Sequence, residues 1–388
     1  MPDGSGPAPP SPDRWRQVRR ALDAHRPELT RLASELYPEA HRAGGTRLLA
    51  RPEWLPAEPL PLAGVALGWQ QDPPPPAVTG TGPASAHVRP AREAGGQYQT
   101  YADAIAGLDP PALLANRVCY RLLAARLSGG DDGPPGLEFG CCRYFDAVSL
   151  GHAVAHELAA AWHDAPGQVG LDRLPLRAAA GDPCDLPRRA AITAVCTLTL
   201  RRDPGGGASF VLHWRDPARV NHAGGMYQVM PAGIFQPVAG TAAAVRADLS
   251  LWRSMARELS EEFLGTSEDY PLAGGCLDYR RWPFYRELTA AREAGALRVW
   301  YMGLGTDPLT LATDVLTVAV LDGPAFDALL GAMVATNAEG RVVTEGGTAS
   351  IPFTAATVAR FTGDGEPMQP AGAAVLGLAW QHRRRLLG

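Results

Sequence analysis

Alternation of apolar and polar residues is clearest in the second half of the chain. In ITAVCTLTL (192–200), five apolar positions alternate with threonines and a valine, a period of two that is typical of a β-strand. The following DPGGG (203–207) is typical of a hairpin loop. Further strands are predicted at 209–215, 226–230, 298–304 and 313–321. Helices are predicted near 324–335, 353–361 and 371–387.

The segment DLSLWRSMARELSEEFLG (248–265) has the pattern of an amphipathic helix. Its apolar residues recur three or four positions apart and share one face, which we expect to enter the core. Asp248 is a candidate N-cap, and Gly265 is a typical C-terminal stop. Apolar residues of the shared face are Trp252, Met255, Leu259 and Phe263.

The first half of the chain has a mainly helical pattern with some strand. Helical spacing runs from Asp13 to Leu36 with an interruption at Pro27, and residues 47–70 are extended and rich in proline. YADAIAGLDPPALLANRVCYRLLAARL (101–127) is predicted as a helix, a proline break and a second, mostly helical segment. LEFGCCRYFD (137–146) is predicted as a strand, and an apolar helix is predicted after Ser149. Turn residues at 165–188 mark the best domain boundary.

Composition narrows the possible classes of protein. The 388 residues are 46% hydrophobic and 20% charged, which indicates a globular chain. No apolar run is long enough to span a membrane, and the net charge of −4 does not indicate a nucleic-acid surface. Lysine is absent, as expected of a GC-rich bacterial genome. A lysine Schiff base is therefore excluded, and a bound anion must be held by arginine or by backbone N–H groups. Six cysteines without a C-x-x-C pair predict reduced thiols and a cytoplasmic protein.

Three glutamates on the predicted helix are the strongest candidates for chemistry. Glu258, Glu261 and Glu262 lie at i, i+3 and i+4 and therefore project together. Carboxylate oxygens are ligands that Mg²⁺ prefers, and Mg²⁺ in turn binds substrate phosphates. Arg257 precedes the first glutamate and could orient the carboxylates. A solvated charged face is the alternative interpretation of this pattern.

The order R-E-L-S-E-E-F-L-G (257–265) resembles the Nudix box, G-x5-E-x7-R-E-U-x-E-E-x-G-U, where U is a bulky aliphatic residue. The Pro-Ala-Gly at 231–233 stands where the family has a Pro-Gly-Gly loop before the helix. Strand, Gly-rich hairpin, strand, loop and acidic helix also follow one another as in a Nudix domain. The chain departs from the pattern where Leu249 and Ala243 replace the family's first glutamate and opening glycine, and where one extra residue precedes Gly265.

The resemblance implies an α+β protein. Its C-terminal part, 188–388, would be a Nudix-like α/β/α sandwich with a mixed sheet, preceded by a disordered tail (1–12) and a companion domain of unknown role (13–170). No helix-turn-helix is evident around Pro27, so a nucleic-acid partner is not expected. The companion domain could cover one wall of a ligand cleft or mediate homodimerisation.

The resemblance also implies a Mg²⁺-dependent (or Mn²⁺-dependent) hydrolase of a nucleoside-diphosphate-linked metabolite. Metal ligands would be Glu258, Glu261 and Glu262, with Glu258, Glu262 and the loop residue Glu339 as catalytic groups. Arg257 would orient the carboxylates and, with Gly233, Tyr227 and Gln228, bind the substrate. Two alternatives remain open. One is a catalytically degenerate sensor or regulator that binds a nucleotide or related metabolite, and the other is a scaffold.

Two further patterns have a simpler interpretation. His152 and His156 lie four residues apart on a predicted helix, a spacing that can share a metal, but the known zinc-protease motifs are not satisfied. We expect both to be partly buried helix histidines. The adjacent Cys141 and Cys142 lie on a predicted strand and should point to opposite faces, which argues against a joint metal site.

Overall fold

The computed structural model describes residues 8–111, 114–127, 134–167, 169–216, 224–267, 270, 272–337, 340–343 and 350–388. Helices and strands alternate irregularly around a mixed sheet, which confirms the predicted α+β class. Within these residues, no helix combines the length and the apolar character needed to cross a bilayer. The predicted tail falls partly on residues 1–7, which lie outside the described residues.

The helices are α1 Pro12–Ala24, α2 Arg26–Glu35, α3 Tyr101–Leu108, α4 Tyr144–Asp164, α5 Pro175–Ala180, α6 Ala242–Ala247, α7 Leu251–Leu264, α8 Pro283–Glu293, α9 Gly323–Leu330, α10 Ala355–Thr362, α11 Pro370–Gln381 and α12 Arg383–Leu387. The strands are β1 His41–Arg42, β2 Leu49–Ala50, β3 Leu60–Pro61, β4 Ala66–Trp69, β5 Val118–Arg126, β6 Gly136–Arg143, β7 Thr193–Arg202, β8 Ala208–Phe210, β9 Leu212–Arg215, β10 Tyr227–Val229, β11 Ala232–Ile234, β12 Leu272–Ala273, β13 Cys276–Leu277, β14 Leu297–Thr306, β15 Thr313–Asp322, β16 Gly340–Val342 and β17 Ile351–Pro352.

The main sheet is built around two long parallel strands, β7 and β15, with Thr193 opposite Thr313. Its order is β1-β2-β14-β15-β7-β8-β17, with β3 also paired to β14 and β11 to β7. All its other pairs are antiparallel. The threonines that alternate along β7 are as buried as the apolar residues between them. The strand is therefore covered on both faces, whereas its alternating pattern is typical of a strand with one wet face.

A second sheet, β4-β6-β5, lies in the first half of the chain and joins the main core. The N–H of Tyr120 donates to the carbonyl of Phe235 at 3.1 Å, and that of Leu122 donates to Ala191 at 2.9 Å. The rings of Tyr120 and Phe235 are 4.4 Å apart between centroids. One hydrophobic cluster therefore spans both sides of the predicted boundary. The division into 13–170 and 188–388 stays a prediction.

Three local predictions are wrong. The segment VCYRLLAAR is strand β5 instead of helix, because it pairs with β6 along its whole length. The Pro-Ala-Gly segment is not only a loop, because Ala232 to Ile234 form β11 against β7. The single strand predicted at 209–215 is two strands in the structure, because β8 pairs with β7 whereas β9 pairs with β10 and β16.

Candidate active site on helix α7

Helix α7 is held at both ends by short-range contacts. The Ser250 hydroxyl accepts a hydrogen bond from the Arg253 N–H at 3.3 Å, so Ser250 is the N-cap, and not Asp248. Gly265 takes the left-handed conformation with φ of 65° and ends the helix as predicted. The predicted apolar face is buried, and α7 packs on β7, β11 and α8. The position of the glutamates relative to β11 follows from this packing.

The carboxyl group of Glu258 lies directly over the backbone of Gly233. A Cβ atom on residue 233 would overlap that carboxyl group, whereas glycine leaves the space open. Gly233 has an ordinary backbone conformation, so the absent side chain is needed here for space and not for a positive φ. The half-buried Glu258 is therefore seated against β11.

Glu262 reaches the same short strand one helical turn later. Its Oε1 atom accepts a hydrogen bond from the N–H of Ala232 at 2.8 Å, and its side chain is buried. Charge-assisted bonds of this kind are among the stronger hydrogen bonds in proteins. Glu258 and Glu262 thus converge on the two consecutive residues Ala232 and Gly233.

Glu261 points to a different neighbour. Its Oε1 atom accepts a hydrogen bond from the hydroxyl of Tyr270 at 2.6 Å. Burial and the adjacent Glu261 both raise the pKa of that tyrosine well above its usual value. The protonated hydroxyl therefore remains a donor to Glu261 at all physiological pH values.

Arg257 is the centre of a buried polar network behind the carboxylates. It donates to the hydroxyl of Tyr279 at 2.5 Å and to the carbonyl of Gln236 at 2.6 Å, and it lies 3.7 Å from the Asp248 carboxylate. Tyr279 in turn donates to Asp248 at 2.8 Å. Burial acts to lower the pKa of Arg257, but Tyr279, Asp248 and Glu258 outweigh it, and the pKa is raised. The guanidinium is therefore a fixed cation beside Glu258.

Sequence reasoning did not find Asp248, Tyr270 and Tyr279 as members of this site. Asp248 was predicted as a helix cap, but it is almost fully buried and accepts from the N–H of Val238 at 2.8 Å as well as from Tyr279. An aspartate so near the family's glutamate position was the available signal. The two tyrosines lie in a segment whose pattern predicted no element.

The remaining predicted residues lie elsewhere or outside the described residues. Tyr227 packs edge-on against Phe361 with ring centroids 5.5 Å apart. Gln228 is buried and accepts hydrogen bonds from the Cys196 thiol and the Val229 N–H. Glu339 lies outside the described residues, although Asn337 contacts the Glu262 carbonyl at 3.4 Å. A substrate or catalytic role for these three stays a prediction.

The carboxylates of Glu258 and Glu262 are of the chemical type that a hard divalent cation takes as ligands. Among the described residues, no three His, Cys, Asp or Glu side chains form a metal-binding group. Mg²⁺, however, is commonly held by one or two carboxylates plus water and substrate phosphates, so three protein ligands are not required. Glu258 and Glu262, seated on the same two residues, meet this smaller requirement.

Comparison with known proteins gives a likeness to solved structures alone. No family model matches the chain, and no curated protein matches it. Among solved structures, it is similar to the crystal structure of a Nudix hydrolase from M. smegmatis, RenU, with 16% sequence identity and a TM-score of 0.25. The match covers 50% of this chain and 85% of that chain. This TM-score is too low to establish a shared fold, so function has to be inferred from the contacts of the residues themselves.

Proposed function

We propose that this protein is a Mg²⁺-dependent (or Mn²⁺-dependent) hydrolase of a nucleoside-diphosphate-linked metabolite. The observation that carries the proposal is the convergence of Glu258 and Glu262 on Ala232 and Gly233. A surface helix that merely carries solvated charges has no need for a glycine under one carboxylate and a backbone donor on another. The residue sequence around these glutamates also resembles the Nudix box.

Glu258 and Glu262 would hold the cation, with Glu261 as a further candidate ligand. When bound, such a cation neutralises pyrophosphate charge and lowers the pKa of an attacking water. Arg257 acts as a positioning residue, because its bonds to Tyr279 and Gln236 fix a positive charge next to Glu258. Glu339, outside the described residues, remains a candidate general base.

Binding without turnover is the second candidate function. It is favoured by the hydrogen bond from Tyr270 to Glu261, which occupies one oxygen of a predicted metal ligand. A protein of this kind would bind a phosphorylated metabolite and act as a sensor or regulator. Ligand-dependent thermal stabilisation without product release would distinguish it from an enzyme, because any ligand selective for the native state raises apparent stability.

The decisive experiment compares the cleavage of nucleotide sugars and dinucleotides into their two phosphorylated products with and without Mg²⁺. Glu262→Gln keeps an acceptor for the Ala232 N–H but removes the charge. We expect it to lower turnover by about 10³-fold or more, with a stability loss of about 1 kcal/mol or less. The matched control is Glu287→Gln, an exposed glutamate on α8, which should leave turnover unchanged. Mg²⁺-dependent turnover that survives in Glu262→Gln contradicts the proposal.

A further inference from the structure

An open cavity of about 340 Å³ lies beside the site, between the end of the β12–β13 hairpin and helix α8. Its walls include the side chains of Tyr279, Arg280, Tyr285 and Arg286, together with Thr289 and Glu293. Aromatic rings and guanidinium groups in one depression are the combination that holds a planar, negatively charged molecule. The chemistry of this cavity therefore differs from that of the carboxylate cluster.

The aromatic walls are held in place by other rings. The centroids of Tyr279 and Tyr285 are 4.9 Å apart, and Tyr285 is stacked on Trp282 with an interplanar angle of 14°. The guanidinium of Arg253 also lies over the ring of Tyr279, 4.7 Å from the ring centroid. Tyr285 and Trp282 are only half-buried, so they keep exposed ring surface. A ligand ring can stack here without any rearrangement of the core.

Two arginines against one acid leave the described lining of the cavity with a net positive charge. Arg280 and Arg286 are exposed, and neither side chain makes a hydrogen bond or ion pair with the described residues. Glu293 is the single acid among the lining residues described. The neighbouring Arg281 differs, because it is paired with Asp278 at 3.5 Å and does not line the cavity. Two guanidinium groups are thus available for an anion.

One residue connects this cavity to the carboxylate site. The ring of Tyr279 forms part of the cavity wall, while its hydroxyl binds Arg257 and Asp248. A molecule in the cavity would therefore be separated by the side chain of Tyr279 from the guanidinium of Arg257, which lies beside Glu258. This separation suits a ligand with its planar ring at one end and its reacting phosphates at the other.

We propose that this cavity binds the nucleoside end of the substrate, with the base stacked on Tyr285 and anionic groups held by Arg280 and Arg286. As a statement about the substrate of α7, the inference rests on the proposed function. As a statement about ligand binding, it stands on the cavity alone. It predicts affinity for a nucleoside monophosphate even in the absence of a divalent cation.

The test is binding of AMP to the full-length protein, followed by tryptophan fluorescence because Trp282 stacks on Tyr285, and by calorimetry. The double variant Arg280→Gln/Arg286→Gln should raise the Kd for AMP at least about tenfold, and Tyr285→Leu should weaken binding of AMP and adenosine alike. Arg281→Gln is the matched control and should bind AMP as the natural chain does. Equal AMP affinity in the double variant and the control overturns the inference, as does a lack of AMP binding.

Failure of this inference can be distinguished from failure of the proposed function. If AMP binds and the double variant weakens it while no nucleotide is hydrolysed, the cavity is supported and the hydrolase is not. If a substrate is hydrolysed and Glu262→Gln abolishes the reaction, but the double variant leaves both KM and kcat unchanged, the hydrolase is supported and the cavity is excluded as its nucleoside site.

Discussion

Helices α4 and α7 carry ionisable side chains at the same spacing, and the two pairs differ in burial at one position. Helix α4 has His152 and His156 four residues apart, followed by Glu157, and all three are buried. Helix α7 has Glu258 and Glu262 four residues apart, with Glu258 half-buried. The spacing alone would allow a metal site on either helix. The contacts that these side chains make indicate whether each pair has a structural role or is available to bind a ligand.

In α4 the polar groups are satisfied by the chain itself. His156 Nδ1 is bonded to the hydroxyl of Tyr101 at 2.9 Å, and its ring stacks on Trp15. Glu157 accepts the N–H groups of Leu176 and Arg177 at 2.7 and 2.9 Å, at the start of α5. Such a network fixes one packing arrangement around His156 and Glu157. The contacts of α4 are therefore structural, whereas a role for α7 in a site belongs to the proposed function.

The first prediction tests the structural role of α4 with the variant Glu157→Ala. Removing this buried carboxylate leaves two backbone N–H groups of α5 without an acceptor, and the loss should destabilise the protein by about 3 kcal/mol. Urea unfolding measures the effect, with the exposed Glu287→Ala as the control that should change stability by about 0.5 kcal/mol or less. A small effect of Glu157→Ala would mean that α4 is not the structural helix of the pair.

The second prediction concerns acid. Burial, and next the nearby Arg19, lower the pKa of His152 and of His156 to about 3. In the unfolded chain each imidazole titrates near its ordinary value of about 6.5. Between these two pKa values the unfolded state binds more protons, so stability falls as the pH falls from about 6.5 towards 3.

His156→Gln should remove part of this acid sensitivity. We expect the loss of unfolding free energy between pH 7 and pH 5 to shrink by about 2 kcal/mol in that variant. Urea unfolding at the two pH values measures it. His25→Gln, at an exposed histidine between α1 and α2, is the control and should keep the full pH dependence. An unchanged pH dependence in His156→Gln would contradict a buried neutral imidazole.

The third prediction sharpens the role of α7. Gly233→Ala puts a methyl group where the Glu258 carboxyl lies, and this flexible side chain must move away. Turnover should fall at least about tenfold, which corresponds to about 1.4 kcal/mol, with little change in melting temperature. Gly205→Ala is the matched control, because nothing lies within 4 Å of a Cβ there. Full activity in Gly233→Ala would show that turnover does not require the Glu258 carboxyl to lie against Gly233.

Much of the fold near α7 could be predicted from periodicity. The apolar face of α7, its end at Gly265 and the strands β7, β14 and β15 each have a local signal that agrees with the tertiary structure. Strand β5 lacks one, because its leucine, alanine and arginine residues all favour helix in isolation. Pairing with β6 and contact with Ala191 outweigh that preference.

The three glutamates could be selected from sequence, but their separate partners could not. Glu262 binds a backbone N–H 30 positions earlier, and Glu261 binds a tyrosine in a segment without a recognisable pattern. Asp248 lies one position from the place where the family has its first glutamate, and only the folded chain brings it to Arg257. Contacts between residues that are far apart in the chain produce no periodic pattern in the sequence.

The pairing of β14 has a consequence for how the chain can be divided. On one side β14 is bonded to β15, and on the other it is covered by β2 and β3, which come from residues 49–61. A fragment that begins at residue 188 would expose this ten-residue strand as a bare sheet edge, with Trp300 and Tyr301 on it. Unprotected edges recruit strands from other molecules. The short strands β2 and β3 thus cover an edge that would otherwise be open in the part that carries the glutamates.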